Sequence, residues 1–493
     1  MAAGAKLMVS LIPVIPVIPV IPVIPVIPVT PVPSVRFDAA LIGKFRQQGP
    51  RYTSYPTADR FTDAFRYRDY LHAVAGLRTR GGRKPLSLYL HIPFCDTVCY
   101  YCACNKIVTK KVEKAATYLT YLKREIEMQG QLFADMNQVE QVHLGGGTPT
   151  YFPDDQIDEL MAQVRRWFKL VPDDIGEYAI EVDPRTVSRE RIFTLRRQGF
   201  NRISLGVQDF DPDVQKAVNR VQPESDTLAI IEAARDAKFR SVSIDLIYGL
   251  PKQNVMTMAR TLSKVIAASP DRIAIYNYAH LPHVFKPQRR ILDADLPGSA
   301  TRLDLLALCI RRLTEAGYVY IGMDHFARPA DDLAIAQGQG RLHRNFQGYS
   351  THAELDLVSC GVSAISAVAA TYSQNAKTLE AYYAHLDKNE LPVVRGIKLG
   401  MDDLLRRAII QLLMCNFEMS IASIEQAYPI TMATYFAAEL AQLRVLAHDG
   451  LLTIDDEWIS VTPQGRLLIR NICMVFDRYL SAAVDPLRHS KTI

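Results

Sequence analysis

Outside one short stretch, this chain of 493 residues is almost bare of cysteine. It has eight, and four of them (Cys309, Cys360, Cys415 and Cys473) are scattered singly. That distribution excludes the framework of a small disulfide-stapled secreted domain. The other four, Cys95, Cys99, Cys102 and Cys104, fall within ten residues. A tight cluster in a large, otherwise cysteine-poor chain reads as metal binding in a reducing compartment, hence the cytoplasm. Charge of one sign is lacking too. The net charge is +5 and charged residues make up 22%. With no long basic run, a nucleic-acid partner is not expected, although local positive charge can still serve an acidic small molecule.

A membrane span is also missing. From Ile12 to Val29 the unit Ile-Pro-Val repeats six times, apolar enough to suggest one. Proline at every third position removes backbone donors and clashes with the preceding turn, so no spanning helix forms. The spacing favours an extended polyproline rod instead. Only Lys6 precedes it with positive charge, and no good small-residue cleavage site follows. Residues 1–36 are read as a low-complexity leader, expected to be disordered and without catalytic role. A docking rod for a proline-binding partner is the alternative.

The remaining length suits one large barrel and a smaller domain. Short apolar runs at Ser87–Ile92, Gln141–Leu144, Tyr178–Val182, Arg202–Gly206, Ser241–Ile247 and Asp271–Tyr278 read as strands. Amphipathic stretches at Pro153–Lys169, Ser188–Gln198, Glu224–Ala237 and Val255–Ala268 read as the helices between them. Repeated βα units predict an α/β fold with a partial parallel (β/α)6-type barrel. The expected layout is an N-terminal arm over 37–85, the barrel over 86–375 and a mostly helical domain over 376–493. In that last domain, helices at Leu404–Asn416 and Met432–His448 precede a hairpin of Leu451–Thr453 with Trp458–Val461. The order resembles a winged helix, but no basic stripe supports DNA binding.

Candidate site residues gather where a parallel barrel puts its chemistry, at the carboxyl ends of the strands. Cys95, Cys99 and Cys102 follow the first strand, spaced by three residues and then two. Three thiolates hold three corners of an iron–sulfur cubane and leave one iron open. A zinc site instead favours a closed tetrahedron of paired ligands, often with histidine. Cys104, one residue past Cys102, is placed near such a cluster but not on it. Tyr89 shares a strand face with His91; its plain alternative is a half-buried strand tyrosine. Gly145-Gly146-Gly147-Thr148 ends the second strand, where glycines admit a ligand close to the backbone. Glu181 and Asp183 offer acceptors to ribose hydroxyls, and Gln208, Arg220 and Asp245 lie near later strand ends. Each alone is more often a structural hydrogen-bonder; together on one rim they suit a large polar cofactor.

The cysteine spacing is that of the radical S-adenosylmethionine superfamily. Within it the chain from Phe37 onward resembles the oxygen-independent coproporphyrinogen III oxidases. The resemblance is carried by Gly49-Pro-Arg-Tyr-Thr-Ser-Tyr-Pro-Thr57, the cysteine segment, Gly145–Thr150, Glu181–Arg185, Gly206–Phe210, Asp245–Lys252, Ile321–Pro329, His343–Tyr349 and Gly361–Ser366. It implies a [4Fe-4S] cluster on Cys95, Cys99 and Cys102 and two molecules of S-adenosylmethionine. The first would lie near Gly146, Gly147, Thr148, Glu181, Gln208 and Arg220. The second would lie near Asp245, Phe346, Gln347 and Ile365. Tyr89 carries over as a residue at the cluster and first cofactor, and is the candidate catalytic residue. The implied reaction turns two propionates of coproporphyrinogen III into vinyl groups. It calls for an electron donor, expected to be flavodoxin-like, and a terminal electron acceptor, in an enzyme expected to be monomeric. Arg51 is a candidate for holding substrate carboxylates. Haem-inserting and haem-degrading relatives are the alternatives. Against the first stand Cys104 and the absence of a His-Asn-x-x-Tyr-Trp motif; against the second, the Arg344–Tyr349 segment and the long C-terminal domain.

Overall fold

The computed structural model describes residues 35–79, 84–353 and 355–480. The Ile-Pro-Val leader lies outside the described residues.

Six strands run parallel and neighbour one another in chain order: β1 (Leu86–Ile92), β2 (Gln138–Gly146), β3 (Glu177–Val182), β4 (Arg202–Gln208), β5 (Ser241–Tyr248) and β6 (Arg272–Asn277). β1 and β5 are buried along nearly their whole length, as parallel strands covered on both faces are. The connecting helices show why their sequence coils. In the helix Asp154–Trp167, Ile157, Leu160, Met161 and Val164 form one buried stripe at helical spacing. Asp154 and Asp155 lie at its positive end, and Arg165 and Arg166 at its negative end. The helix Val255–Ala268 opens with a capping box of Asn254 and Thr257. All six expected strands and the four helices are present.

The sheet does not close on itself. Beyond β6 it continues antiparallel through β7 (Val319–Gly322) and β8 (His325–Ala327), with β8 against β6. Beyond β1 it continues through β9 (Asp356–Cys360), parallel to β1, and then the antiparallel strands β10 (Ile365–Val368), β11 (Thr371–Asn375) and β12 (Val393–Lys398). Sequence reading stopped at the sixth strand. The later ones are short, and all five residues of β11 (Thr-Tyr-Ser-Gln-Asn) are buried although four are polar, so no apolar period marks it. The sheet thus runs on to Lys398, past residue 375.

The C-terminal region holds the helices Met401–Asn416, Ile421–Ala427 and Ala437–His448. Phe436 breaks the expected Met432–His448 helix into two pieces. The expected hairpin appears as Leu452–Ile454 with Trp458–Val461, and Glu418–Ser420 adds a third antiparallel strand. The N-terminal arm is stitched to this end of the chain. Tyr52 donates to Asp477, Asn471 to the Phe45 carbonyl, and Arg470 to the carbonyls of Gly49 and Pro50. Among the described residues no helix is long and apolar enough to cross a membrane.

Candidate radical-chemistry site at the strand ends

The cysteine loop leaves β1 at Pro93 and lies across the carboxyl ends of its neighbours. Cys95 ends a short strand, Phe94–Cys95, paired with Ile107–Val108. The loop is pinned from outside: Tyr100 N–H donates to the Val218 carbonyl at 2.9 Å, and Asn219 Nδ2 to the Val98 carbonyl at 2.7 Å.

Two of the three thiols meet donors from three different loops. Thr148 Oγ1 lies 3.5 Å from Cys95 Sγ. An Arg185 Nη lies 3.5 Å and an Arg220 Nη 3.4 Å from Cys99 Sγ. Lys106 Nζ donates to the Cys102 carbonyl at 3.0 Å. A hydrogen bond with Cys104, opposed by burial and helped by Lys106, draws the Cys102 thiol down to about 5. Burial pushes the Cys95 thiol up to about 11, so it needs a cation or metal to ionise. Among the described residues no three His, Cys, Asp or Glu side chains converge on a point where a single ion would sit. The three thiols are near enough for Cys95 to feel the charge of Cys99 and Cys102, and the cationic donors beside them suit the anionic thiolates of an iron–sulfur cluster.

The glycine triplet is required by packing before any ligand arrives. A Cβ on Gly147 would lie 2.7 Å from the carbonyl oxygens of Pro93 and Phe94. The bare backbone lets Gly147 N–H reach the Ile92 carbonyl and Thr148 N–H the Phe94 carbonyl, both at 2.8 Å, and so seats Thr148 on Cys95. Gly146 has φ +119°, and a Cβ there would lie 2.6 Å from the His91 ring. Gly146 N–H instead donates to Glu181 Oε2 at 3.0 Å.

Glu181 on β3 also accepts from His143 Nε2 at 3.0 Å. Burial works against its charge, but the His143 and Gly146 donors hold its carboxyl below the ordinary range. Tyr89 stacks on His143 at 5.8 Å and reaches His91 Nδ1 with its hydroxyl at 3.0 Å. Tyr89, Gly146 and Glu181 therefore form one connected group, tied by His91 and His143. Asp183, expected as a ribose acceptor, is spent differently: Arg185 and Arg220 pair with its carboxylate at 2.6 and 3.0 Å. The buried Arg220 thereby links Asp183, Cys99 and the Gly206 carbonyl. Gln208 ends β4 with φ +69° beside Arg220, its amide and that guanidinium crowding the same side of Gly206. Asp245 accepts from Ser204 at 3.2 Å; desolvation, then Glu181, pushes it up to about 7.

The remaining three residues sit apart in the sheet. Phe346 and Gln347 cap the hairpin of His343–Asn345 with Gly348–Ser350, Phe346 packing edge-on to Phe61 and Tyr372. Ile365 opens β10, with β4, β3, β2, β1 and β9 between it and β5. Among the expected site residues, two buried donors lack a hydrogen-bond partner in the described structure: Arg220 Nε and Gln347 Nε2. Both suit the carboxylate and hydroxyl oxygens of a polar cofactor. His91, His143 and Arg185 were not singled out from sequence as site residues. The usable signal was alternation: His143 and Gly145 share a face of β2, as Tyr89 and His91 do of β1.

This geometry can be set beside known proteins. Residues 89–265 match the radical SAM superfamily model, and residues 400–468 match the HemN C-terminal domain. Oxygen-independent coproporphyrinogen III oxidase from Pseudomonas aeruginosa is 51% identical over 460 residues, covering 93% of this chain and 99% of that one. Its counterpart from Escherichia coli is 49% identical over 459 residues, with the same coverage. The chain belongs to the oxygen-independent coproporphyrinogen III oxidase family. A solved structure from the family, coproporphyrinogen III oxidase (HemN) from Escherichia coli, described as a radical SAM enzyme, superposes with a TM-score of 0.86. It covers 91% of this chain and 100% of that chain at 49% identity. The family's fold is thus this chain's fold, from the open parallel barrel to the C-terminal helices.

Proposed function

We propose that this chain is an oxygen-independent coproporphyrinogen III oxidase that turns two propionates of its substrate into vinyl groups, giving protoporphyrinogen IX. The observation that carries the reading is the cysteine loop: three cysteines at the strand ends, with the Cys95 and Cys99 thiols gripped by Thr148, Arg185 and Arg220 from three separate loops.

Cys95, Cys99 and Cys102 hold a [4Fe-4S] cluster. When bound, the cluster and S-adenosylmethionine supply a one-electron reductive cleavage whose product takes a hydrogen atom from the propionate β-carbon. The propionate then loses carbon dioxide and passes one electron to an acceptor, which leaves the vinyl group.

The protein's own work is positioning and charge. Arg185 and Arg220 donate to Cys99 and offset thiolate charge. The exposed backbone at Gly146 and Gly147, with Thr148, Glu181, Gln208 and Arg220, binds the first S-adenosylmethionine, and Tyr89 holds the His91 ring beside it. Asp245, Phe346, Gln347 and Ile365 bind the second. Glu181 and Asp245 place acidic groups where a sulfonium must rest. A flavodoxin-like donor supplies electrons to the enzyme, a cytoplasmic monomer.

The test is anaerobic. The protein is reconstituted with iron and sulfide, then given S-adenosylmethionine, a reductant, an electron acceptor and coproporphyrinogen III. Porphyrins are chromatographed after oxidation, with Cys99→Ser alongside. Protoporphyrin and 5′-deoxyadenosine from the wild type alone are expected. Cofactor cleavage without protoporphyrin would overturn the substrate assignment.

A further inference from the structure

Among the described residues, Arg344 is a buried cation with no carboxylate against it. Arg344 is 3% exposed. Its backbone is clamped by one side chain: its N–H donates to Gln411 Oε1 at 3.2 Å, and its carbonyl accepts from Gln411 Nε2 at 2.7 Å. Its guanidinium lies 4.7 Å above the Tyr349 ring. Among the described residues no carboxylate pairs with it, and its Nε and one Nη are buried without a hydrogen-bond partner.

Two more arginines stand beside it. Arg51 pairs with Asp324 and lies 5.9 Å over the Tyr276 ring. Arg470, also 3% exposed, donates to the carbonyls of Gly49 and Pro50. Burial, then the neighbouring arginines, draws Arg470 down to about 9 and lowers Arg51 as well. His325 is kept neutral by burial and by the same cations, and its Nδ1 too is buried without a partner. Arg51 and Arg470 line a cavity of about 520 Å³. Tyr276, on β6, feels Asp245 from one direction and Arg51 and Arg344 from another. Arg51 and Arg344 therefore adjoin the Asp245 end of the strand rim.

A buried guanidinium without a counterion destabilises a fold, so this one is accounted for by an anion from outside. Its planar fork fits a carboxylate through two parallel hydrogen bonds. We propose that Arg344, with Arg51 and Arg470 beside it, grips the carboxylate of a propionate that the reaction leaves intact. The proposal rests on the substrate reading above. The retained carboxylate is the better match for a physical reason. A carboxylate about to leave as carbon dioxide must surrender its charge, and a tight guanidinium pair would stabilise the ground state over the transition state. Arg344 is thus a substrate-positioning residue.

The test uses the reconstituted holoenzyme, with Arg344→Gln and Arg344→Lys. Binding is read by fluorescence anisotropy of coproporphyrin III, the oxidised form of the substrate with all four carboxylates. Turnover and substrate-free melting are measured alongside. For Arg344→Gln we expect roughly 10- to 100-fold weaker binding, the worth of one charge-assisted hydrogen bond. KM should rise by a similar factor while kcat changes far less, and Arg344→Lys should fall between. The substrate-free melting temperature should hold or rise, because an unpaired buried charge has gone. Unchanged binding, or a fall in melting temperature with KM intact, would overturn the proposal. Should the wild type cleave S-adenosylmethionine yet make no protoporphyrinogen, the activity reading falls, and the binding measurement alone decides the role of Arg344.

Discussion

The Tyr89 hydroxyl donates to Nδ1 of His91 at 3.0 Å. His91 Nε2 faces the Asn105 carbonyl at 3.1 Å, and a carbonyl only accepts. Nε2 therefore carries the ring hydrogen and Nδ1 is the acceptor, a tautomer fixed from both sides. Burial lowers the ring's pKa and keeps it neutral. Tyr89→Phe removes the donor and leaves Nδ1 buried and unsatisfied, a penalty of about 1–3 kcal/mol. The His91 ring that Gly146 packs against is then free to turn. We expect a folded, cluster-loaded variant in which single-turnover formation of 5′-deoxyadenosine slows roughly 10-fold or more. A wild-type rate would show that Tyr89 only packs.

Gly147→Ala should cost the cluster its seat. The added methyl meets two backbone carbonyls at 2.7 Å, which cannot swing aside as a side chain can. Thr148 is then drawn off Cys95. Iron and sulfide content after anaerobic reconstitution should fall below half of wild type. Gly298→Ala is the matched control, since nothing lies within 4 Å of its added methyl; it should load fully.

Arg185→Gln removes a cation whose Nη lies 3.5 Å from Cys99 Sγ. Reduction adds an electron beside that charge, so losing the charge makes reduction harder. Coulomb's law at an effective dielectric of about 20 puts the shift on the order of 100 mV, to more negative potential. A potentiometric titration followed by electron paramagnetic resonance measures it. No shift would mean that Asp183, paired with Arg185 at 2.6 Å, already cancels the cation's field.

Asp245 gives the substrate-free protein a pH dependence. Its carboxyl is held near 7, raised by desolvation first and by Glu181 second. Raised in the fold above its unfolded value, the group binds its proton more tightly when folded. Its contribution is therefore most favourable at acid pH and is lost as pH climbs from about 4 to about 7. Asp245→Asn should melt higher than wild type at pH 8, by the equivalent of a few kcal/mol, and no higher at pH 4. It should also bind S-adenosylmethionine more weakly. Equal melting curves at pH 8 would contradict the burial argument.

What could be read from sequence was whatever repeats or clusters. The six parallel strands are short segments rich in apolar residues, and the cysteine spacing stands out against a cysteine-poor background. β11 was invisible because its five buried residues are mostly polar and satisfied by tertiary contacts. Asp183 looked like a ligand acceptor beside Glu181; its true partners, Arg185 and Arg220, include one 37 residues away. Arg344 drew attention only as part of a resemblance. A single arginine in a three-residue strand carries no period, and its unpaired nitrogens exist only once Gln411 and Tyr349 have closed around it.

The stitching of the N-terminal arm to the far end of the chain sets an order of assembly. Arg51 belongs to a segment anchored by Arg470, Asn471 and Asp477, more than 400 residues downstream. During synthesis the Arg51 wall of the cavity has nothing to rest on until residues 470–477 emerge. Barrel strands can pair while translation continues, but the cavity takes its final form only when residues 45–52 have met residues 470–477, so a protein cut short near residue 470 is expected to keep its cysteine loop and lose this wall of the cavity.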